Sequence, residues 1–279
     1  MTRSYRHIQV RPIAGALGAE VEGVDAARPL AESIIAEIRQ AFLDHLVIFL
    51  RNQKLTPQAQ LAFARGFGQP MEYPQLKGLP ECPLITPVLK LEHERVNFGG
   101  IWHSDTAYLE RPPMASMLYA IEVPPYGGDT LFANQYLAYE TLSEPLRRRL
   151  GAVIGINAST KADASRTRED RLREAGVEHK VLVGEHPVVR THPETGRRAL
   201  YVNVGHTTHF KDWTEEESAP ILGFLFAHQV RPDFTCRFHW EPGSLAFWDN
   251  RCTQHNPVND YHGFRRVMHR VTLAGEAPV

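Results

Sequence analysis

Cysteine is scarce, with three residues in 279. Cys82, Cys236 and Cys252 are odd in number and far apart, so neither a disulfide framework nor zinc-finger spacing is present. They read as small buried apolar residues. Long apolar runs are missing too. The most apolar stretch, Leu46 to Leu50, is far short of the roughly 18 residues of a membrane span and fits a buried strand. The N-terminus, Met1-Thr2-Arg3-Ser4-Tyr5-Arg6-His7, lacks an apolar signal-peptide core, so a cytoplasmic chain with no membrane partner is expected. Nor is there a surplus of charge: 31 Lys+Arg face 32 Asp+Glu, for a net charge of -1. A nucleic-acid partner would need a cationic surplus, so none is expected. Internal repeats, low-complexity tracts and Gly/Ser linkers are absent, which points to a single domain over 1–279.

What is there suits a folded globular chain: 43% hydrophobic and 23% charged residues. Ile34, Ile35, Ile38 and Phe42 recur at helical spacing within residues 31–44, ahead of the strand at 46–50. Thr56-Pro57 opens a second helix that runs to about Phe67, with Gly68 as its stop. Five prolines and Gly99-Gly100 then mark residues 69–101 as a long, lid-like loop with one strand at Leu84 to Leu91. Strands are predicted at Met114 to Val123, Thr130 to Ala133, Leu200 to Val204, Phe234 to Trp240, Ser244 to Trp248 and Val267 to Leu273. Helices are predicted from Tyr136 to Leu150 and, behind a Thr214/Glu217 capping box, to about His228. Residues 160–180 are highly charged and read as exposed and partly helical. Many short strands with segregated helices predict an all-β core with flanking helices (α+β), a barrel or jelly roll.

Fourteen histidines raise the question of a metal. Chance alone should yield roughly one or two His-x-Asp/Glu triplets, and the chain has three. His192-Pro193-Glu194 is followed by Thr195-Gly196, which is turn chemistry. His239 lies opposite Phe238 and Trp240 on an alternating strand and should face solvent. His103-Ser104-Asp105 ends the long loop, and on extended chain its first and third side chains point the same way. With His255 it would complete two imidazoles and one carboxylate on one face of a metal, the set used by non-haem Fe(II) oxygenases. Taken alone, His255 reads more readily as a loop histidine than as a ligand. Arg266 and Arg270 share one face of the last strand, where two guanidiniums can grip carboxylates. Thr130, after Gly127-Gly128-Asp129, could add a hydroxyl. The same three ligands would also serve a Zn-dependent hydrolase. A jelly-roll binding protein without turnover is the other alternative.

Four segments in this order resemble the taurine/dichlorophenoxyacetate dioxygenase family: Trp102-His103-Ser104-Asp105, Gly127-Gly128-Asp129-Thr130, Trp248-Asp249-Asn250-Arg251 through His255, and Arg265-Arg266-Val267-Met268-His269-Arg270. The resemblance spans nearly the whole chain. It implies a double-stranded β-helix (jelly roll, cupin-like) and an enzyme using Fe(II), 2-oxoglutarate and O2. It implies His103, Asp105 and His255 as iron ligands, Arg266 and Thr130 on the distal carboxylate of 2-oxoglutarate, and Arg270 on the substrate anion. It also implies a homo-oligomer. The sequence departs from the taurine enzymes at Tyr73, Gly99, Ser159 and His206, which speaks against taurine itself. A small organic anion remains: a sulfonate, sulfate ester, carboxylate or aryloxyalkanoate. Tyr73 and His206 become candidate specificity positions.

Overall fold

The computed structural model describes residues 4–74, 76–161 and 181–279; most of the charged segment expected at 160–180 lies outside the described residues. The first third holds β1 (Gln9–Pro12), β2 (Ala19–Glu22), α1 (Glu32–His45), β3 (Val47–Leu50), α2 (Pro57–Arg65), β4 (Pro70–Met71) and β5 (Ile85–Lys90). The middle holds β6 (Ala115–Glu122), β7 (Thr130–Asn134), α3 (Gln135–Glu140), α4 (Glu144–Leu150) and β8 (Ile154–Ala158). After the undescribed stretch come β9 (Val183–Pro187), β10 (Val189–Thr191), β11 (Arg198–Leu200), β12 (Thr207–Phe210) and α5 (Glu215–His228). The chain ends with β13 (Thr235–Phe238), β14 (Leu245–Asp249), β15 (Thr253–Pro257) and β16 (Arg266–Leu273).

Eight strands form one sheet in the order β1-β2-β3-β14-β6-β16-β4, with β5 also on β16. Among the described residues only β2 and β3 run parallel. A three-stranded sheet, β13-β7-β15, faces it. The strand β3 shows why the chain is so apolar here. Ile48 and Leu50 face the helices, in the cluster with Phe42 of α1, while Val47 and Phe49 face the small sheet. Both faces of the strand are buried, so alternation gives way to a continuous apolar run. Phe49 stacks on Phe238 with ring centroids 3.8 Å apart and meets Phe132 edge-on at 5.7 Å. On the other face Phe42 stacks on Phe247 at 4.1 Å.

The helix starts follow the local chemistry. The Thr56 side chain caps α2, with Pro57 in its first turn, though the helix ends at Arg65 rather than Phe67. Thr214 and Glu217 make both bonds of the capping box. One expectation fails: Tyr136 to Leu150 is not one helix but two. Pro145 sits in the first turn of α4, where its missing N–H costs nothing, whereas a continuous helix would have placed it in the interior. The strand expected at Leu200 to Val204 ends at Leu200. After Leu200 the chain turns, and Thr207 donates its amide to the Asn203 carbonyl at 3.0 Å.

A buried charge network ties the layers together. Arg251 makes two side-chain bonds to Asp249, at 2.8 and 2.7 Å, and a third to Glu194 at 2.7 Å. Glu194 also takes Arg39 of α1. His192 is fully buried and bonds Asp249 through Nε2 at 3.0 Å. The amides of Glu194 and Thr195 donate to His192 Nδ1, so the turn expected at this triplet is present and both ring nitrogens are occupied. Burial alone would raise the Asp249 pKa, but Arg251 and His192 outweigh it and hold the carboxyl well below its usual range.

Two outcomes test this packing. Phe49→Ala removes the ring between the sheets and should cost about 3–5 kcal/mol in urea unfolding. Arg251→Ala leaves Asp249 short of its main partner and should cost about 3–5 kcal/mol as well. The wild-type network contributes stability above the ordinary carboxylate pKa of about 4, and that stability is lost as pH falls through the depressed folded value. The acid limb of a Tm-versus-pH curve should therefore flatten in Arg251→Ala.

Candidate active site

The site forms where the long loop meets the small sheet. His103 and His255 bridge each other through their backbones: the His103 amide donates to the His255 carbonyl at 3.1 Å, and the reverse bond is 2.9 Å. His255 lies within β15, opposite Phe132 of β7, so it is a strand residue rather than a loop histidine. Two bonds between residues so far apart in sequence bring both imidazoles to one place, with ring centroids 4.2 Å apart.

Asp105 completes the group. Its Oδ1 lies 3.5 Å from His103 Nε2 and 3.7 Å from His255 Nε2. The three residues are buried and form one of two His/Cys/Asp/Glu groups among the described residues compact enough for a metal ion. Asp105 Oδ1 has no hydrogen-bond partner. Its other oxygen accepts from Ser116 Oγ at 2.7 Å and pairs with Arg270 Nη2. The His103 Nδ1 nitrogen sits 2.7 Å from the Ile101 carbonyl, which can only accept, so Nδ1 carries the proton and Nε2 presents its lone pair. Burial pushes the His103 pKa down to about 4, and burial also holds His255 well below its usual value. Two neutral imidazoles and an orphaned carboxylate oxygen, converging and buried, are the donor set a divalent metal needs. The second compact group, His192, Asp249 and Cys252, differs: its histidine and aspartate are consumed by the network around Arg251.

The cavity beside this triad is lined by His103, His255, Thr130, Trp240, Arg266 and Arg270, with Val88, Phe98 and Leu118 as its apolar wall. β16 supplies both arginines, on one face and both buried, as the two-residue period requires. Arg266 Nε and Nη2 have no hydrogen-bond partner, and among the described residues no carboxylate pairs with it. Thr130 accepts the Trp240 indole N–H at 2.9 Å, which leaves its own hydroxyl hydrogen free to donate. Asp129, beside it, is held outward by Arg237 and by His239, whose side chain is half exposed as expected.

Tyr73 and His206 border the site. The Arg270 guanidinium lies 5.0 Å from the Tyr73 ring centroid, and His206 meets the His103 ring edge-on at 6.0 Å. Gly99 adopts φ +73, and a Cβ there would approach His103 Cε1 to 3.0 Å, so the glycine keeps this side of the triad open. Ser159 instead binds backbone, taking the Leu182 amide at 3.1 Å. Sequence reasoning missed the roles of Ser116, Asn250 and Trp240. A serine inside the apolar strand Ala115–Glu122 was the available signal for the first. The three cysteines are free and buried, as expected. No helix among the described residues is long and apolar enough to cross a membrane.

Known proteins resemble this chain over nearly its whole length. The chain is 37% identical to an alpha-ketoglutarate-dependent sulfate ester dioxygenase of Pseudomonas putida, covering 98% of this chain and 91% of that one. It is 33% identical to an alkylsulfatase of Acinetobacter baylyi, covering 97% and 86%. The crystal structure of a taurine dioxygenase from Burkholderia xenovorans superposes with a TM-score of 0.84 at 38% identity, covering 98% and 91%. The profile of the taurine catabolism dioxygenase TauD, TfdA family matches residues 9–272, and the chain belongs to that family.

Proposed function

We propose that the protein is an Fe(II)- and 2-oxoglutarate-dependent dioxygenase that hydroxylates a small organic anion. The coupled reaction converts 2-oxoglutarate and O2 to succinate and CO2. The anion is a sulfonate, sulfate ester, carboxylate or aryloxyalkanoate. The core is read as a double-stranded β-helix, in line with its two facing sheets and its structural neighbour. The observation that carries the reading is the buried Arg266, whose Nε and Nη2 have no hydrogen-bond partner, in the same cavity as the His103/Asp105/His255 triad. A buried guanidinium without a carboxylate is costly, and an anionic cosubstrate relieves it.

The triad would hold the metal through His103 Nε2, His255 Nε2 and Asp105 Oδ1. When bound, Fe(II) supplies the oxidising chemistry and the open positions that cosubstrate and O2 require. Arg266 would grip the distal carboxylate, with the Thr130 hydroxyl donating beside it. Trp240 orients that hydroxyl by occupying its acceptor side. Arg270 keeps an unpartnered Nε and lies against the aromatic faces of Tyr73 and Trp248, a place for the substrate anion. Val88, Phe98 and Leu118 would take the substrate's apolar body and exclude water. Within 69–101, β4 and β5 belong to the large sheet, so only the stretch after β5 would close over the substrate, and Asn97 already ties it to β15 through the Pro257 carbonyl at 2.9 Å.

The first experiment is anaerobic visible spectroscopy with Fe(II) and 2-oxoglutarate, before and after a panel of sulfonates, sulfate esters and aryloxy acids. A charge-transfer band on adding 2-oxoglutarate is expected, shifting with an accepted substrate. No band with iron bound would return the site to the Zn-hydrolase alternative. His103→Ala and Asp105→Ala should abolish turnover while the protein stays folded by circular dichroism. Arg266→Met should raise the KM for 2-oxoglutarate by about 10–100-fold, as loss of a charge-assisted bond does. Arg270→Met should raise the KM for the organic anion and, because Arg270 also pairs with Asp105, weaken metal binding.

A further inference from the structure

We infer that Ser116, oriented by Asn250 and Trp248, is a positioning residue that makes Asp105 a one-oxygen metal ligand. The inference rests on the reading of His103, Asp105 and His255 as a metal centre. Its basis is a hydrogen-bond chain in which each hydrogen has one possible place.

The Trp248 indole N–H can only donate, and it lies 2.9 Å from Asn250 Oδ1. That contact fixes which end of the Asn250 amide faces which way. The Nδ2 group then points to Ser116 Oγ, at 3.1 Å. Arg270 Nη2, also a donor only, approaches the same oxygen at 3.0 Å. Both acceptor positions of the Ser116 hydroxyl are thereby filled. Its single hydrogen has one remaining direction, the Asp105 Oδ2 at 2.7 Å.

Each member of the chain is buried, and Ser116 is fully so. No water competes for these bonds, and a misdirected hydrogen would leave an unsatisfied buried group. Register places the members together: Ser116 pairs with Trp248 across β6 and β14. The consequence falls on the carboxylate. Oδ2 is occupied from two sides, by Ser116 and by Arg270, and cannot swing toward the imidazoles. Only Oδ1 faces the two Nε2 atoms. The triad then contributes three donor atoms rather than four, which preserves room for a chelating cosubstrate and O2.

The test is Mn(II) affinity, read from the EPR signal of the free ion, in the full-length protein without cosubstrate. Ser116→Ala deletes the donor, and loss of a group that orients a metal ligand typically weakens metal binding by about 10–100-fold. Asn250→Asp is isosteric. It keeps the Trp248 bond but replaces the Nδ2 donor with an acceptor, drawing the Ser116 hydrogen away from Asp105. It should therefore weaken Mn(II) binding without opening a cavity, and it carries the test if Ser116→Ala fails to fold. Ser116→Thr keeps the hydroxyl and should retain near wild-type affinity. A purely structural role would lower the Tm of these variants and leave Mn(II) affinity unchanged, and that result in both Ser116→Ala and Asn250→Asp overturns the inference. Wild-type protein that binds no Mn(II) would instead overturn the metal-centre reading itself.

Discussion

A fully buried carboxylate is costly unless its oxygens are partnered, and Asp105 is partnered by the protein on one oxygen alone. One oxygen is met by a hydroxyl from β6 and a guanidinium from β16, two strands that are neighbours in the large sheet. The other is met by no protein donor and points at two imidazole nitrogens. Each histidine is held by main chain, through the reciprocal backbone bonds between them, so neither side chain spends its Nε2 on holding its place. Sheet pairing sets the positions, and one carboxylate oxygen and two imidazole nitrogens are left facing one another.

The segment Trp248-Asp249-Asn250-Arg251 shows how one strand end serves two tasks. Trp248 and Asp249 close β14, Asn250 and Arg251 begin the turn after it, and the four side chains divide between two networks. Trp248 and Asn250 bond each other and reach Ser116, on the side of the triad. Asp249 and Arg251 bond each other and reach His192 and Glu194, on the other side. The first pair reaches Asp105 through Ser116; the second fastens the strand end to the turn at His192 and, through Glu194, to α1. Breaking the second pair would loosen the platform on which the first stands.

The chemistry-bearing residues were legible in the sequence to an unusual degree for physical reasons. His103 and Asp105 share an extended segment, and Arg266 and Arg270 share a strand face, so spacing alone states that each pair can act together. His255 was harder, because β15 is short and polar, and its strand character comes from pairing with β7 rather than from propensity. The later strands β8, β9 and β12 escaped for the same reason, since their order rests on partners distant in the chain, whereas β1 and β2, which pair with each other, escaped because both are short and polar. The broken helix at Thr141 to Ser143 was readable from Pro145, and apolar periodicity masked it.

By itself the sequence determined the residue types, the local spacings and the order of the motifs, because these depend only on neighbours along the chain. It thereby determined which residues could form a metal site and an anion site. Tertiary structure decided which oxygen of Asp105 is free, that Arg266 is buried without a carboxylate, and that His192 belongs to the scaffold. Those outcomes are set by hydrogen bonds between residues far apart in sequence, in a space closed to water, where every donor and acceptor must be matched.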